Sequence, residues 1–164
     1  MSSKMDGNRS PGPMIRGMWD KLSKLPAGKM LFSKAVGKTA PYTGTIGAHI
    51  LELRPGFARV EMKDRKKVRN HLNSVHAVAL MNLAELTTGL AMTSGLPDGA
   101  RGILKGLRIE YIKKARGLLT AECEAEVSES TERRELEIQG DIIDASGEVV
   151  ARAVATWLVG PSKT

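Results

Sequence analysis

With 164 residues, the chain has the length of one compact domain, which excludes an enzyme assembled from separate cofactor and substrate halves. Hydrophobic residues make up 41% and aromatics only 4%, so a packed core of Leu, Ile, Val, Ala and Met is expected and wholesale disorder is not. The formal charge of +7 is spread unevenly: residues 63–69 hold five Lys/Arg against Asp64, residues 101–116 hold six against Glu110, and residues 122–148 carry ten acids against Arg133 and Arg134. Two local basic segments can receive a phosphorylated small molecule as readily as a polynucleotide, and Tyr111 alone among them offers a ring for base stacking, so nucleic acid is not an expected partner. The single Cys123 excludes disulfide frameworks and Cys-based zinc sites, and His49, His71 and His76 are too few for a metal cage. There is no run of about 18 apolar residues to span a bilayer and no apolar signal stretch, so the expected location is cytoplasmic, off the membrane.

Residues 1–13 mix Ser, Gly, Pro and charge without an apolar period and read as a flexible leader. From there Met14, Ile15, Met18, Trp19, Leu22 and Leu25 recur at helical spacing until Pro26, with Lys21 and Lys24 on another face. A second cluster, Met30, Leu31, Phe32 and Val36, predicts another helical turn or two before Gly37 and Pro41. Residues 14–37 are thus an N-terminal helical segment, expected to pack on the domain as a lid rather than lie on a membrane.

After Pro41 the period becomes two. Ile46, Ala48 and Ile50 alternate with polar or small residues, Arg54-Pro55-Gly56 turns the chain, and Ala58, Val60 and Met62 alternate with Arg59, Glu61 and Lys63, which predicts a hairpin. Residues 75–94 form an Ala, Leu and Met-rich run closed by Gly95, Pro97, Asp98 and Gly99. Its apolar residues, from Val75 and Val78 to Leu90 and Met92, cover the full circumference and predict a helix buried on every side. Four strands follow: one through Leu107, Ile109 and Tyr111, one over Leu119–Val127, one over Leu136–Ile142, and one over Val149–Val159 after the Ser146-Gly147 turn. Two strands, one apolar helix and four strands imply an α+β domain in which an antiparallel sheet curls around that helix.

Between His71 and Pro97 the only formal charge is Glu85, in the middle of the apolar helix. A buried carboxylate is expensive unless paired, hydrated or functional, and burial favours its neutral form, which suits a group that accepts a proton near neutral pH. The bland alternatives are a structural pair with a base such as Arg108, or the exposed end of a tilted helix. Just ahead of the helix, the segment from Arg69 to Val78 crowds Asn70, His71, Asn73, Ser74 and His76 where a helix N-terminus presents free N–H groups able to hold an oxyanion. Here the bland reading makes Asn73 or Ser74 an ordinary N-cap and His76 a satisfied core histidine.

Asn70, His76, the small residue Ala77 and Glu85 stand at the spacing of a motif in hotdog-fold thioesterases of the PaaI and hydroxybenzoyl-CoA type, where Asn is followed by His-Gly-Gly and then by an acid on the central helix. The text RNHLNSVHAVALMNLAELTTGLAM also resembles the uncharacterised hotdog branch DUF4442, and the likeness spans residues 40–160. It implies a hotdog fold of five to six strands around one long helix, with the helical segment as an N-terminal extension. It further implies that Asn70 and the Ala77 N–H polarise a thioester carbonyl, that Glu85 activates water or attacks directly, and that His76 supports the site. Ala77-Val78 stands where the motif has paired glycines, and Ile103 or Leu104 stands where some members carry a hydroxyl.

Helix geometry adds a constraint of its own. Ala77 and Glu85 are eight residues apart, about 12 Å along one helix, too far for one carbonyl to touch both. Joint action requires two antiparallel copies of the helix, hence a homodimer or a dimer of dimers. The basic residues Lys66, Arg69, Lys105 and Arg108, with Val78 beside the helix start, become candidates for binding the phosphates and pantetheine of acyl-CoA, or for receiving an acidic acyl-carrier protein. No metal is expected, and no cofactor beyond the coenzyme A of the substrate. The few aromatics and the Leu/Met-rich helix favour an aliphatic acyl group. The competing function is a hotdog domain that binds acyl-CoA without cleaving it.

Overall fold

The structure, a computed structural model, describes residues 10–162. Helix α1 spans Pro11–Leu22, so part of the expected leader is helical from Pro11 on, where a missing N–H is no loss in the first turn. The rest of that leader, residues 1–9, lies outside the described residues. Helix α2, Gly28–Thr39, is longer than the turn or two its sequence suggested, and a short α3, Pro41–Gly44, follows. These helices pack on the domain: Trp19 of α1 meets Phe32 of α2 edge to face at 5.0 Å, and Arg16 Nη1 donates to the carbonyls of Ser94 (2.6 Å) and Leu96 (2.9 Å).

Strands β1 (His49–Arg54) and β2 (Phe57–Lys63) form the first hairpin, and Gly56 in its turn has φ +78°, a left-handed value that favours glycine. Helix α4, Ala77–Gly95, comes next, then β3 (Ala100–Tyr111), β4 (Leu118–Glu124), β5 (Arg134–Asp144) and β6 (Val149–Pro161). All neighbours are antiparallel in the order β1-β2-β4-β5-β6-β3, so the two strands that flank α4 in sequence direction, β2 and β3, lie far apart in the sheet. The sheet curls and buries Ala79, Leu80, Leu83, Ala84, Leu90, Ala91 and Met92 of α4 against Val60, Met62, Ala121, Ile142 and Ala153. This is the antiparallel sheet curled around one helix that the element order implied, and the hotdog architecture that the resemblance implied.

Two expectations are corrected. First, β3 starts at Ala100 rather than near Leu107; a bulge between Leu104 and Gly106 interrupts the alternation that would have revealed its first half. Second, α4 is not buried on every side. The sheet wraps only part of its circumference, leaving Val78 (48% exposed) and Glu85 open, with Met81, Leu86, Gly89 and Thr93 half-buried beside them.

The two sheet edges are treated differently. On β1, Ser33 Oγ of α2 accepts from the Ile50 N–H (2.8 Å) and Lys29 Nζ donates to the Leu51 carbonyl (2.7 Å), so a helix covers that edge. On β3, no side chain among the described residues bonds the backbone of residues 101–111, and Ile103 is 52% exposed.

Candidate active site

The segment that leads into α4 is built by backbone pairing. After a single 3-10 turn, Lys66–Val68, Arg69 and Val75 form an antiparallel bridge, the Asn70 N–H donates to the Ser74 carbonyl (2.9 Å), and the His76 N–H donates to the Val68 carbonyl (2.7 Å). These bonds fold residues 69–75 into a tight loop at the helix entrance. Asn70 Oδ1 sits inside it and accepts from the N–H groups of Leu72 (2.9 Å) and Ser74 (3.3 Å) and from Ser74 Oγ (3.2 Å). Those three donors fix which way the amide points. They leave Asn70 Nδ2 without an acceptor among the described residues, free to donate to a ligand.

His76, not Asn73 or Ser74, is the N-cap. Its ring is exposed rather than in the core, and its Nδ1 accepts from the Val78 N–H (3.1 Å), which places the ring proton on Nε2. The Ala79 and Leu80 N–H groups turn to the His76 carbonyl at 2.9 and 3.1 Å. Of the first N–H groups of α4, the Ala77 N–H therefore has no acceptor among the described residues. A single unspent donor at the positive end of a 19-residue helix can hold developing negative charge. Tyr111 of β3 steadies this end by donating to the Ala77 carbonyl (3.0 Å), and burial raises its phenol pKa, keeping the donor protonated.

Glu85 is two turns further along α4. The expected hydrocarbon burial is absent in the single chain: Glu85 is exposed because the curled sheet leaves this face of α4 uncovered. Neither does it pair with Arg108; no ion pair or side-chain hydrogen bond engages the Glu85 carboxylate among the described residues. One chain thus presents Ala77 and Glu85 at separate places and does not bring them together.

A cavity of about 340 Å³ opens at the start of α4, lined by Tyr42, Thr45, Lys67, Arg69, His76, Val78 and Asn82. Of the basic residues singled out in the sequence, Arg69 belongs to this cavity and Lys66 does not; its neighbour Lys67 does. Arg69 Nε donates to Asp64 (2.6 Å), and Asp64 Oδ2 also accepts from the Gly117 N–H (3.1 Å). The Arg69 guanidinium holds the Asp64 carboxyl below its usual range, and the terminal nitrogens of Arg69 remain available. Lys105 is tied to Glu135 on β5, away from the helix start. Arg108 is exposed and unpaired among the described residues, three residues from Tyr111.

Asn82 was not singled out, although it is the one amide in the run from Val75 to Met92 and stands out by the logic that drew attention to Glu85. Its Nδ2 donates to the Tyr42 carbonyl (3.2 Å), which joins α3 to α4, and its buried Oδ1 has no partner among the described residues. No group of three or more His, Cys, Asp or Glu among those residues is placed to hold a metal ion, and no helix is long and apolar enough to cross a membrane.

Comparison with solved structures supports the fold. A structural-genomics crystal structure is 33% identical with a TM-score of 0.76, over 90% of this chain and 98% of the other. A protein of unknown function from Pseudomonas aeruginosa, described as a probable thioesterase, is 23% identical with a TM-score of 0.71, over 84% and 97% of the two chains. A hypothetical thioesterase from Streptococcus pneumoniae, crystallised with coenzyme A, is 22% identical with a TM-score of 0.64, over 78% and 99%. No curated protein matches the chain. A family model described as a domain of unknown function matches residues 28–159, from the start of α2 into the last part of β6, and the chain belongs to that family, DUF4442.

Proposed function

We propose that this protein hydrolyses acyl-CoA thioesters at sites shared between two copies of α4. The observation that carries the reading is the pair of unspent donors at the helix entrance, the Ala77 N–H and Asn70 Nδ2, together with an unpaired carboxylate, Glu85, on the uncovered face of α4. Ala77 and Glu85 lie about 12 Å apart along α4, so an antiparallel second copy is needed to bring a carboxylate to each entrance. The uncovered edge of β3 and its exposed Ile103 give that copy a place to join.

In this mechanism the thioester carbonyl oxygen lies at Ala77 N–H and Asn70 Nδ2 of one chain. Glu85 of the other takes a proton from water, and the hydroxide oxygen bonds to the carbonyl carbon. The negative charge moves onto the oxygen held by the two donors. Collapse breaks the carbon–sulfur bond, and the proton on Glu85 passes to the departing thiolate, giving acid and free thiol. Lys67 and Arg69 border the entrance and supply cations for the phosphates of coenzyme A. The structural neighbours described as thioesterases, one of them crystallised with coenzyme A, favour this chemistry over other uses of the fold.

Free-thiol release from acyl-CoA tests the reading. Glu85→Gln should lower kcat by at least about a hundredfold, and Asn70→Ala by about tenfold to a hundredfold. Tight acyl-CoA binding with no thiol release by the wild-type protein would make it a binder and overturn catalysis. Failure of the protein to retard DNA or RNA at low salt is also expected.

A further inference from the structure

A second and larger cavity, of about 780 Å³, lies beside α4 between α2, α3 and β1. It is lined by Met30 and Val36 of α2, Pro41 of α3, Ala48 just before β1, Ile50 in β1, and Leu86 of α4. We infer that this cavity receives the linear aliphatic chain of the acyl group whose carbonyl is attacked with the help of Glu85 of the same chain; the inference rests on the thioesterase reading and names its substrate class.

Position comes first. Leu86, which lines the cavity, follows Glu85 directly in α4 and points about 100° round the helix from it, so the cavity lies one residue away from the carboxylate without including it. A carbonyl carbon within reach of water on Glu85 has its acyl substituent at the cavity mouth. The coenzyme A half then lies the other way, on the partner's helix entrance with its Lys67 and Arg69 equivalents. Each substrate would thus span the two chains, its head on one and its tail in the other.

Chemistry comes second. The volume falls within the roughly 300–1,000 Å³ of small-molecule sites, and the lining is mostly carbon, with no Phe, Tyr or Trp and the His49 imidazole as its one aromatic ring. A flat aryl group gains most from stacking between rings, for which this lining offers a single imidazole at one side, whereas a flexible methylene chain needs only the carbon walls that make up most of it. Gly37 and Gly44 close the inner wall by letting α2 and α3 touch: a Cβ on Gly44 would come within 2.7 Å of the Gly37 carbonyl oxygen. Lys34 and Lys38, one helical turn apart and exposed, stand on the rim of the same cavity. A mostly apolar trough, with Lys34 and Lys38 as its cations, fits an amphiphile with an anionic head.

Rates of thiol release from butyryl-, octanoyl- and palmitoyl-CoA, with non-hydrolysable hexadecyl-CoA thioether binding by calorimetry, test the inference. In Ala48→Trp, which fills the cavity, the palmitoyl-to-butyryl ratio of kcat/KM should fall by more than about tenfold, and Val36→Phe should shift it the same way. A ratio unchanged in both variants, with melting temperatures confirming that they fold, overturns the acyl cavity while leaving the thioesterase reading intact. If no thioester is cleaved, that reading fails alone when hexadecyl-CoA binds the wild type and is weakened at least about tenfold by Ala48→Trp. Both fail when the thioether does not bind or binds the two proteins equally. Mixed dimers of an Ala77→Trp chain with an Ala48→Trp chain should regain palmitoyl-CoA hydrolysis, because the one intact entrance then faces the Glu85 and the open cavity of the Ala77→Trp chain; recovery of butyryl-CoA hydrolysis alone would assign the cavity to the other site and overturn its pairing with Glu85.

Discussion

Burial in β4 pushes the Cys123 thiol from its ordinary 9.0 up to about 12, so the thiolate, the reactive form, is suppressed. Native protein should resist thiol-labelling reagents in mildly alkaline buffer and label at once in urea. Because the folded pKa is raised, the neutral thiol's contribution to stability is complete below 9.0 and is lost as pH climbs from there towards about 12; Cys123→Ala should flatten that decline in urea melts. Asp64 works in the opposite direction. Its carboxyl is lowered chiefly by the Arg69 hydrogen bond, so it stabilises above its ordinary 3.8, and that contribution is lost as pH falls below this value. Asp64→Asn should reduce the acid-side slope and loosen the 69–75 loop, read as a raised KM for acyl-CoA.

At the level of elements, α1 and α4 are joined by Arg16, whose guanidinium takes carbonyls that the C-terminal end of α4 would otherwise leave unpaired. Arg16→Ala should cost about 2 kcal/mol in urea unfolding. The element order was legible because strand alternation and helical spacing are local: Ala58, Val60 and Met62 gave β2, and the Ala/Leu/Met run gave α4 to within two residues. What escaped was set by tertiary contacts. The first half of β3 is a bulged, glycine-containing edge whose only strand partner is β6, and the open face of α4 depends on how far the sheet curls, which no residue of α4 encodes. The same distinction holds at the site. Asn70 and Ala77 were singled out by their likeness to a motif, whereas the capping role of His76 and the unpartnered oxygen of Asn82 appear only once the loop and α3 are in place.

For the molecule as a whole, the decisive prediction concerns assembly. Ile103→Asp, which puts charge on the exposed edge strand, should convert a dimer to a monomer in sedimentation and abolish thiol release in step. Mixing Ala77→Trp chains with Glu85→Ala chains, each inactive alone, should restore one working site per mixed dimer. An active monomer would refute the shared site.

The bare margin of β3 also bears on how the protein behaves in a crowded cell. A twelve-residue strand paired with β6 on one side only makes a lone chain adhesive along its other side, and an adhesive strand invites runaway stacking. Two such margins that meet about a half-turn satisfy each other and leave nothing for a third arrival. Self-limiting closure of this kind would protect freshly made chains from fibre growth, with the dilute, solitary chain as the vulnerable species.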